Sequence, residues 1–295
     1  MKTCVITGAA GLVGSELLSL IPTDWKIYAL YNSKKPPVLT HNISFVKCDF
    51  KNGQYLERLP EKCDCIIHLA QSNLFRKFPE TAEDIFEVNT LSTQQLLSYG
   101  LKAGVSNFIY CSTGGLYKST NELLLESDTI DLVTLEKNYY YASKFCSEIL
   151  LKNYSEYFNT IIFRPFFIYG PNQNSDMLIP RITKNVMSKQ TIRLEGKNGM
   201  QFNPIFCKDA AIAIFKATEY DNRQIFNLAG PSYVSLKEVI NLISKYLGIP
   251  VEIEIIDKVA LDFRASIELL SNNLYIPKVD IEEGIAKYLE SLKLN

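Results

Sequence analysis

Tyr140 and Lys144 stand four apart in Tyr140-Tyr141-Ala142-Ser143-Lys144, a spacing that puts both side chains on one face of a helix. A phenol with a pKa near ~10 is a poor proton carrier at neutral pH, but a neighbouring ammonium favours the phenolate. The pair therefore has the makings of a general acid/base. An amphipathic helix with one packed tyrosine would carry the same spacing, so context must decide. Upstream, Tyr110-Cys111-Ser112-Thr113-Gly114-Gly115-Leu116-Tyr117 reads as a strand ending in hydroxyls. That places Thr113 at the carboxyl edge of a sheet, where ligands of open α/β sheets sit. The neighbours Tyr139 and Tyr141 are expected to point elsewhere.

A second constellation lies at the N-terminus, where an apolar strand runs into Gly8-Ala9-Ala10-Gly11-Leu12-Val13-Gly14. Glycines at this spacing allow a tight turn, close approach of a pyrophosphate and close helix-to-strand packing. The free N–H groups and dipole of the following helix favour the anion. A glycine triplet alone is weak, but its position after a strand and before a helix marks a dinucleotide loop. Where a carboxylate usually meets the adenosine ribose, the chain has Tyr31-Asn32-Ser33-Lys34-Lys35. With no acid and two ammonium groups a 2′-phosphate is tolerated, so NADP(H) is modestly favoured over NAD(H). Asp49, followed by Phe50, is placed to accept from the adenine amino group or to start the next turn.

Short β-branched runs at 3–7, 26–30, 43–48, 65–69, 107–111 and 160–163 alternate with helical periodicity at 12–20, 81–101 and 140–157. Strand, helix, strand, repeated, predicts an α/β fold with a doubly wound parallel sheet and right-handed crossovers. Beyond Pro171 the rhythm changes to an α+β pattern, with helices at 178–188 and 235–247. A helix at 209–218 and a strand at 225–228 are expected to return to the first sheet. The predicted domains are a dinucleotide-binding unit, 1–170 with 207–230, and a smaller C-terminal substrate lobe, 171–206 and 231–295.

Of 295 residues 47% are hydrophobic, enough for one large core. Lys plus Arg is 31 against 32 for Asp plus Glu, so the net charge of −1 gives no electrostatic reason for nucleic acid or an anionic membrane as partner. Seven cysteines, an odd number mostly within apolar runs, suit a reducing compartment. The only histidines are His41 and His68, and Cys63 and Cys65 have no second pair at metal-binding spacing, so no metal is expected. The glycines interrupt the first apolar run, and no stretch approaches the roughly 20 apolar residues of a membrane span. A soluble, cytoplasmic protein is the expectation.

Together these residues resemble the extended short-chain dehydrogenases/reductases, specifically the NAD-dependent epimerase/dehydratase family of nucleotide-sugar enzymes. The likeness runs through Gly8, Gly11 and Gly14, Asp49, Ile67-His68-Leu69-Ala70, Asn89, Thr113, Tyr140 with Lys144, Arg164-Pro165 and Tyr169-Gly170-Pro171. It implies a Rossmann-type sheet, with Tyr140 as acid/base, Thr113 bonding the reacting oxygen, and Lys144 on the nicotinamide ribose, lowering the phenol pKa. It further implies cofactor contacts at Leu12, Val13, Tyr31, Asn32, Phe50, Leu69, Ala70, Gln71, Asn89 and Pro165, with Gly114 and Phe167 beside the substrate. His68 is expected to be a satisfied residue at a strand end. A homodimer through the segments 81–101 and 140–157 is implied as well.

The chain also departs from the family. Dehydratases carry an Asp-Glu pair after the catalytic threonine, and Gly114 and Gly115 stand there, which disfavours elimination. The asparagine and arginine that many nucleotide-sugar enzymes direct at the substrate are replaced by Phe167 and Phe202. Arg193 and Arg264 remain as candidates for an anion, since guanidinium groups suit bidentate phosphate contact. The expected activity is an NAD(P)-dependent sugar epimerase or oxidoreductase acting on a small-molecule sugar carbinol or ketone. The competing reading is a non-catalytic dinucleotide sensor, which would have no use for Thr113, Tyr140 and Lys144 as a set.

Overall fold

The computed structural model describes residues 1–36, 41–51, 53–118 and 120–293. In chain order the strands are β1 (Thr3–Thr7), β2 (Lys26–Tyr31), β3 (Ile43–Lys47), β4 (Cys65–His68), β5 (Asn107–Cys111), β6 (Asn159–Pro165), β7 (Ile168–Tyr169), β8 (Ile192–Glu195), β9 (Gln201–Phe202), β10 (Ile205–Phe206), β11 (Gln224–Leu228), β12 (Val234–Ser235) and β13 (Ile253–Ile256). The helices are α1 (Leu12–Leu20), α2 (Ala82–Phe86), α3 (Ser92–Ala103), α4 (Leu132–Lys137), α5 (Tyr139–Asn153), α6 (Leu178–Met187), α7 (Cys207–Lys216), α8 (Leu236–Leu247), α9 (Glu268–Asn273) and α10 (Ile281–Lys293).

The seven-stranded sheet has the order β11-β6-β5-β4-β1-β2-β3. Pairs β1–β2, β1–β4, β2–β3, β4–β5 and β5–β6 are parallel. From β1 the chain winds out to β3, then returns to β4 on the other side, so the order reverses between β1 and β4. Against this sheet pack α3 and α5, whose Leu96, Leu97, Ala103 and Leu151 join Val5, Ile66, Phe108 and Ile162 in one apolar cluster. Strands buried on both faces read as continuous apolar runs, which is why their periodicity was legible as β-branched blocks.

The chain divides into two compact units. The first is Met1–Lys118, Thr129–Arg164 and Ala211–Phe226; the second is Ser119–Asp128, Pro165–Ala210 and Asn227–Asn295. The division falls after Arg164 rather than at 170, and the return is 211–226 rather than 207–230. The stretch 119–128 joins the second unit because Leu124 N donates to Arg264 O, Ser266 N donates to Leu124 O, and Asn227 N donates to the Glu126 carboxylate. Within the second unit α6, α8 and α10 bury Ile179, Ile182, Val186, Val239, Ile240, Ile243, Ile285 and Leu289. No helix among the described residues is long and apolar enough to cross a membrane.

The segment 82–103 departs from a plain helix, for a π-helical turn at Glu87–Leu91 separates α2 from α3. Such single π turns often mark functional sites. Here it buries Asn89 and Thr90 toward α5.

Candidate active site

The glycine loop forms where β1 ends at the reversal in strand order, the place where open α/β sheets bind ligands. Gly8 has φ +66°, in the left-handed region that favours glycine, and a Cβ there would come within 2.9 Å of the Ala70 amide nitrogen. A Cβ on Gly14 would run into the Gly8 carbonyl and lie 2.9 Å from the Ala9 Cα. Helix α1 begins at Gly11 with no side-chain cap and no carboxylate in its first turn. Its leading N–H groups are thus left for an anion. Backbone kept free of side chains beside an uncapped helix start fits a dinucleotide pyrophosphate.

His68 organises the strand ends around this loop. It is fully buried, with Nδ1 2.6 Å from Thr7 Oγ1 and Nε2 3.1 Å from Thr93 Oγ1 and 3.2 Å from Ser92 Oγ. Ser92 and Thr93 commit their hydrogens to the carbonyls of Val88 and Asn89, so both hydroxyls must accept from Nε2–H. Thr7 accepts from the Ala70 amide and donates to Nδ1. The ring is therefore neutral, and burial followed by the Lys144 charge pushes its pKa down from 6.5 to about 3. His68 is a structural hub and has no free nitrogen for acid/base work.

Helix α5 starts at Asn138, whose side chain accepts from the Tyr141 amide at 3.2 Å. This start sets Tyr140 and Lys144 on the face toward β5. The Tyr140 hydroxyl donates to Gln71 Oε1 at 2.9 Å, and the Thr113 side chain hydrogen-bonds the phenol oxygen. Lys144 is 1% exposed, with Nζ 4.4 Å from the centre of the Tyr110 ring. Burial pushes its pKa down to about 8, with Cys111 and Glu148 pulling the other way. Thr113, Tyr140, Lys144 and Gln71 are thus gathered at the carboxyl ends of β4 and β5.

The expected lowering of the Tyr140 pKa is not what this geometry delivers. Burial raises it, Cys111 and Tyr141 add to the rise, and only the Thr113 hydrogen bond opposes them. Desolvation of the phenolate outweighs that bond, and the free protein holds Tyr140 as a neutral phenol, a proton donor.

Several residues sit differently from expectation. Asn89 is fully buried, accepting from the Ser72 amide at 2.9 Å and donating to Ser143 Oγ at 2.9 Å, which braces the segment after β4 against α5. The Phe50 ring is 8% exposed and packs in the apolar cluster against Tyr55, so only its backbone is left for a cofactor. Tyr141 does not point elsewhere; its ring lies so close over Gly115 that a Cβ there would overlap it. Asp49 is exposed and accepts from the Lys51 amide at 3.2 Å, as a turn-starting residue does. Tyr31 packs edge-on to Phe45, Asn32 is exposed, and Lys35 lies over the Phe45 ring at 4.8 Å.

In the second unit Arg193 is exposed and ion-paired with Glu254 at 2.8 Å, because β8 and β13 pair with Arg193 opposite Glu254. Arg264 pairs with Asp262 at 3.4 Å and donates to the Asn121 carbonyl. Phe167 has φ +50°, rare for a bulky side chain, and is held against Phe202 at 5.0 Å and Phe263 at 6.1 Å. Among the described residues no three His, Cys, Asp or Glu gather as a metal site.

Sequence reasoning passed over the buried carboxylate Glu148, four residues beyond Lys144 on α5. It receives two hydrogen bonds from Arg164, at 3.0 and 2.6 Å, and Arg164 donates a third to Tyr117 at 2.7 Å. The available signal was a glutamate on the catalytic face of the helix and an arginine inside an apolar strand.

The chain belongs to the NAD dependent epimerase/dehydratase family, whose model matches residues 4–229. It is accordingly an enzyme that works with a nicotinamide dinucleotide. It is 26% identical to the dTDP-D-glucose 4,6-dehydratase of Mus musculus across 100% of this chain and 89% of that protein. Among solved structures it resembles the UDP-glucuronic acid 4-epimerase of Bacillus cereus in complex with UDP-glucuronic acid and NAD, with a TM-score of 0.86, 22% identity and coverage of 99% of this chain and 100% of that one. The UDP-N-acetylglucosamine 4-epimerase of Methanobrevibacter ruminantium M1 is similar at a TM-score of 0.87 and 21% identity, covering 99% of this chain and 98% of its own. At these identities the structural likeness shows the doubly wound fold with its smaller C-terminal part.

Proposed function

We propose that the protein is a sugar epimerase or oxidoreductase that takes a nucleotide-linked sugar and reacts at a carbinol or ketone carbon. The observation that carries this reading is the meeting of the Tyr140 hydroxyl with Thr113 and Gln71 at the same sheet edge as the Gly8 loop. The first unit is the dinucleotide-binding domain and the second the substrate lobe. When bound, the nicotinamide supplies hydride exchange. The chain supplies the rest: Thr113 orients the reacting oxygen, Tyr140 gives it a proton or takes one, and Lys144 holds the nicotinamide ribose. The loop at Gly8, Gly11 and Gly14, with the first amides of α1 at Leu12 and Val13, takes the pyrophosphate. Leu69, Ala70 and Gln71 line the dinucleotide beside it, Asp49 and the Phe50 backbone lie toward adenine, and Pro165 toward the nicotinamide. Gly114 and Phe167 face the substrate.

Elimination is disfavoured, because the Tyr141 ring fills the space that a side chain at position 115 would need. Arg193 and Arg264 are the candidates for a substrate anion, each now paired with a carboxylate, and an unchanged KM for an anionic substrate on replacing each by alanine would refute that role. Incubating the protein with a panel of UDP- and dTDP-sugars, while following reduced-nicotinamide absorbance and product stereochemistry, tests the activity. No turnover of any of them would refute it. Tightly copurifying NAD would mark an epimerase that regenerates its cofactor, and readily exchanged cofactor a reductase.

The basic end of β2 supports the finer proposal of an NADP(H) preference, whereas the Bacillus cereus neighbour is a complex with NAD. Fluorescence titration with both reduced cofactors decides it: NADH binding tenfold tighter or more would refute the preference. A cytoplasmic homodimer paired through α3 and α5 completes the proposal, supported by seven cysteines none of which forms a disulfide and by the exposed Leu101 and Ile149 on those helices. Light scattering reads the dimer directly.

A further inference from the structure

On the reading of Thr113 and Tyr140 as the place of reaction, we propose that Tyr141 sets the class of sugar: its ring closes the site to the exocyclic carbon of a hexose and leaves it open to a pentose. The turn after β5 offers a substrate almost no side chain, because Thr113 is followed by Gly114 and Gly115, both buried. Tyr141 refills that space from α5. A Cβ built on Gly115 would overlap Cε1 and Cζ of the Tyr141 ring and lie 2.8 Å from its hydroxyl oxygen. The outer edge of the phenol therefore rests on the glycine backbone of the turn. Tyr141 is only half-buried, so its ring still presents a surface to what enters.

That ring is fixed from several directions. The Tyr141 amide donates to the Asn138 side chain that caps α5, at 3.2 Å, and the ring centre lies 5.6 Å from that of Tyr140. Phe75 borders Tyr140 as well, at 4.7 Å. Gly115 donates its amide to Thr113 Oγ1 at 3.2 Å. Tyr141 thus adjoins both groups that meet the reacting oxygen, Tyr140 directly and Thr113 through Gly115. A sugar carbon whose oxygen reaches Tyr140 and Thr113 then has a ring neighbour beside Tyr141. The largest group that such a neighbour carries is the exocyclic carbon of a hexose, where a pentose has only hydrogen. A phenol seated on backbone cannot yield the volume of that carbon and its oxygen without displacing packed atoms.

UDP-xylose and UDP-glucose differ only in the exocyclic carbon, so the ratio of their kcat/KM values, with cofactor supplied, reads Tyr141 directly. Turnover is followed by reduced nicotinamide and by the inverted product. Wild type should favour UDP-xylose by about tenfold or more, the usual worth of one carbon in a packed pocket. Tyr141→Ala should narrow that ratio at least about fivefold by gaining UDP-glucose, whereas Tyr141→Phe keeps the ring and should hold the ratio within about threefold. Tyr141→Leu, which should fall between them, serves if the alanine protein does not fold. Wild type that uses UDP-glucose as well as UDP-xylose overturns the inference, as does a folded alanine or leucine variant that keeps the wild-type ratio or loses both sugars alike. Turnover of neither sugar, with activity on other nucleotide sugars, overturns the pentose assignment alone. No turnover of any nucleotide sugar removes the reading of Thr113 and Tyr140 along with it.

Discussion

Acid should unfold the first unit through His68, and the size of the effect follows from its surroundings. The ring is enclosed, donates from Nε2 to Ser92 and Thr93, and accepts at Nδ1 from Thr7. A second proton would land on Nδ1, against a hydroxyl hydrogen, in a fully buried site. Its pKa is therefore about 3 in the folded chain against 6.5 for an ordinary histidine. Below pH 6.5 the unfolded chain binds the proton first, so stability falls as pH drops from 6.5 toward 3. Above 6.5 this group has no effect. The full window is worth on the order of 5 kcal/mol, at about 1.4 kcal/mol for each pH unit. Trp25, the single tryptophan, is buried in the first unit against Phe215 and reports its unfolding by fluorescence. Urea melts from pH 7 to 4 should show wild type losing stability more steeply than His68→Gln, by roughly 1 kcal/mol per pH unit below 6. Carboxylates contribute to both proteins and cancel in the difference. Parallel slopes would refute the neutral, enclosed ring.

Tyr140→Phe keeps the ring and loses only a hydroxyl bonded to Gln71, so stability should change by less than about 1 kcal/mol while turnover falls roughly 10²–10⁴-fold. Thr113→Val should cost mainly turnover, and the double variant should lose less than the sum, as steady-state kinetics on a verified sugar would show. Gly14→Ala forces a Cβ into the Gly8 carbonyl, so calorimetry should show dinucleotide binding lost and stability reduced by about 1–3 kcal/mol. Phe167→Asn relieves a left-handed φ but gives up a half-buried ring, so denaturant melts should place it within about 1 kcal/mol of wild type, against the 3–5 of an ordinary core Phe→Ala.

The local features of this protein were legible because they depend on residues near one another in the chain. The β1 strand and Gly8 loop were written in seven adjacent residues, and Tyr140 and Lys144 in five. A period of two or 3.6 needs no knowledge of what packs where, so β1 and β5 were located residue for residue. Helix α5 was expected to reach 157 but ends at Asn153, where Tyr154 takes φ −92° and ψ 0° and the chain turns. The π turn at Glu87–Leu91 left no periodic mark, because it is imposed by the buried contacts of Asn89 with Ser72 and Ser143.

Charge and exposure were decided only in three dimensions. The spacing of Tyr140 and Lys144 implied a lowered phenol, but burial, which the spacing does not report, raises the phenol and lowers the ammonium. Arg193 looked available in the sequence and is paired because β13 lies beside β8, 61 residues away. Tyr141 was assigned away from the site, yet its ring lies over Gly115, a contact between α5 and the segment after β5. What the sequence by itself determined was the fold class and the shared helix face of Tyr140 and Lys144, since both are carried by local patterns of backbone freedom and side-chain spacing. What only the tertiary structure decided was the state of those groups and their partners, because burial and long-range pairing are properties of the packed chain.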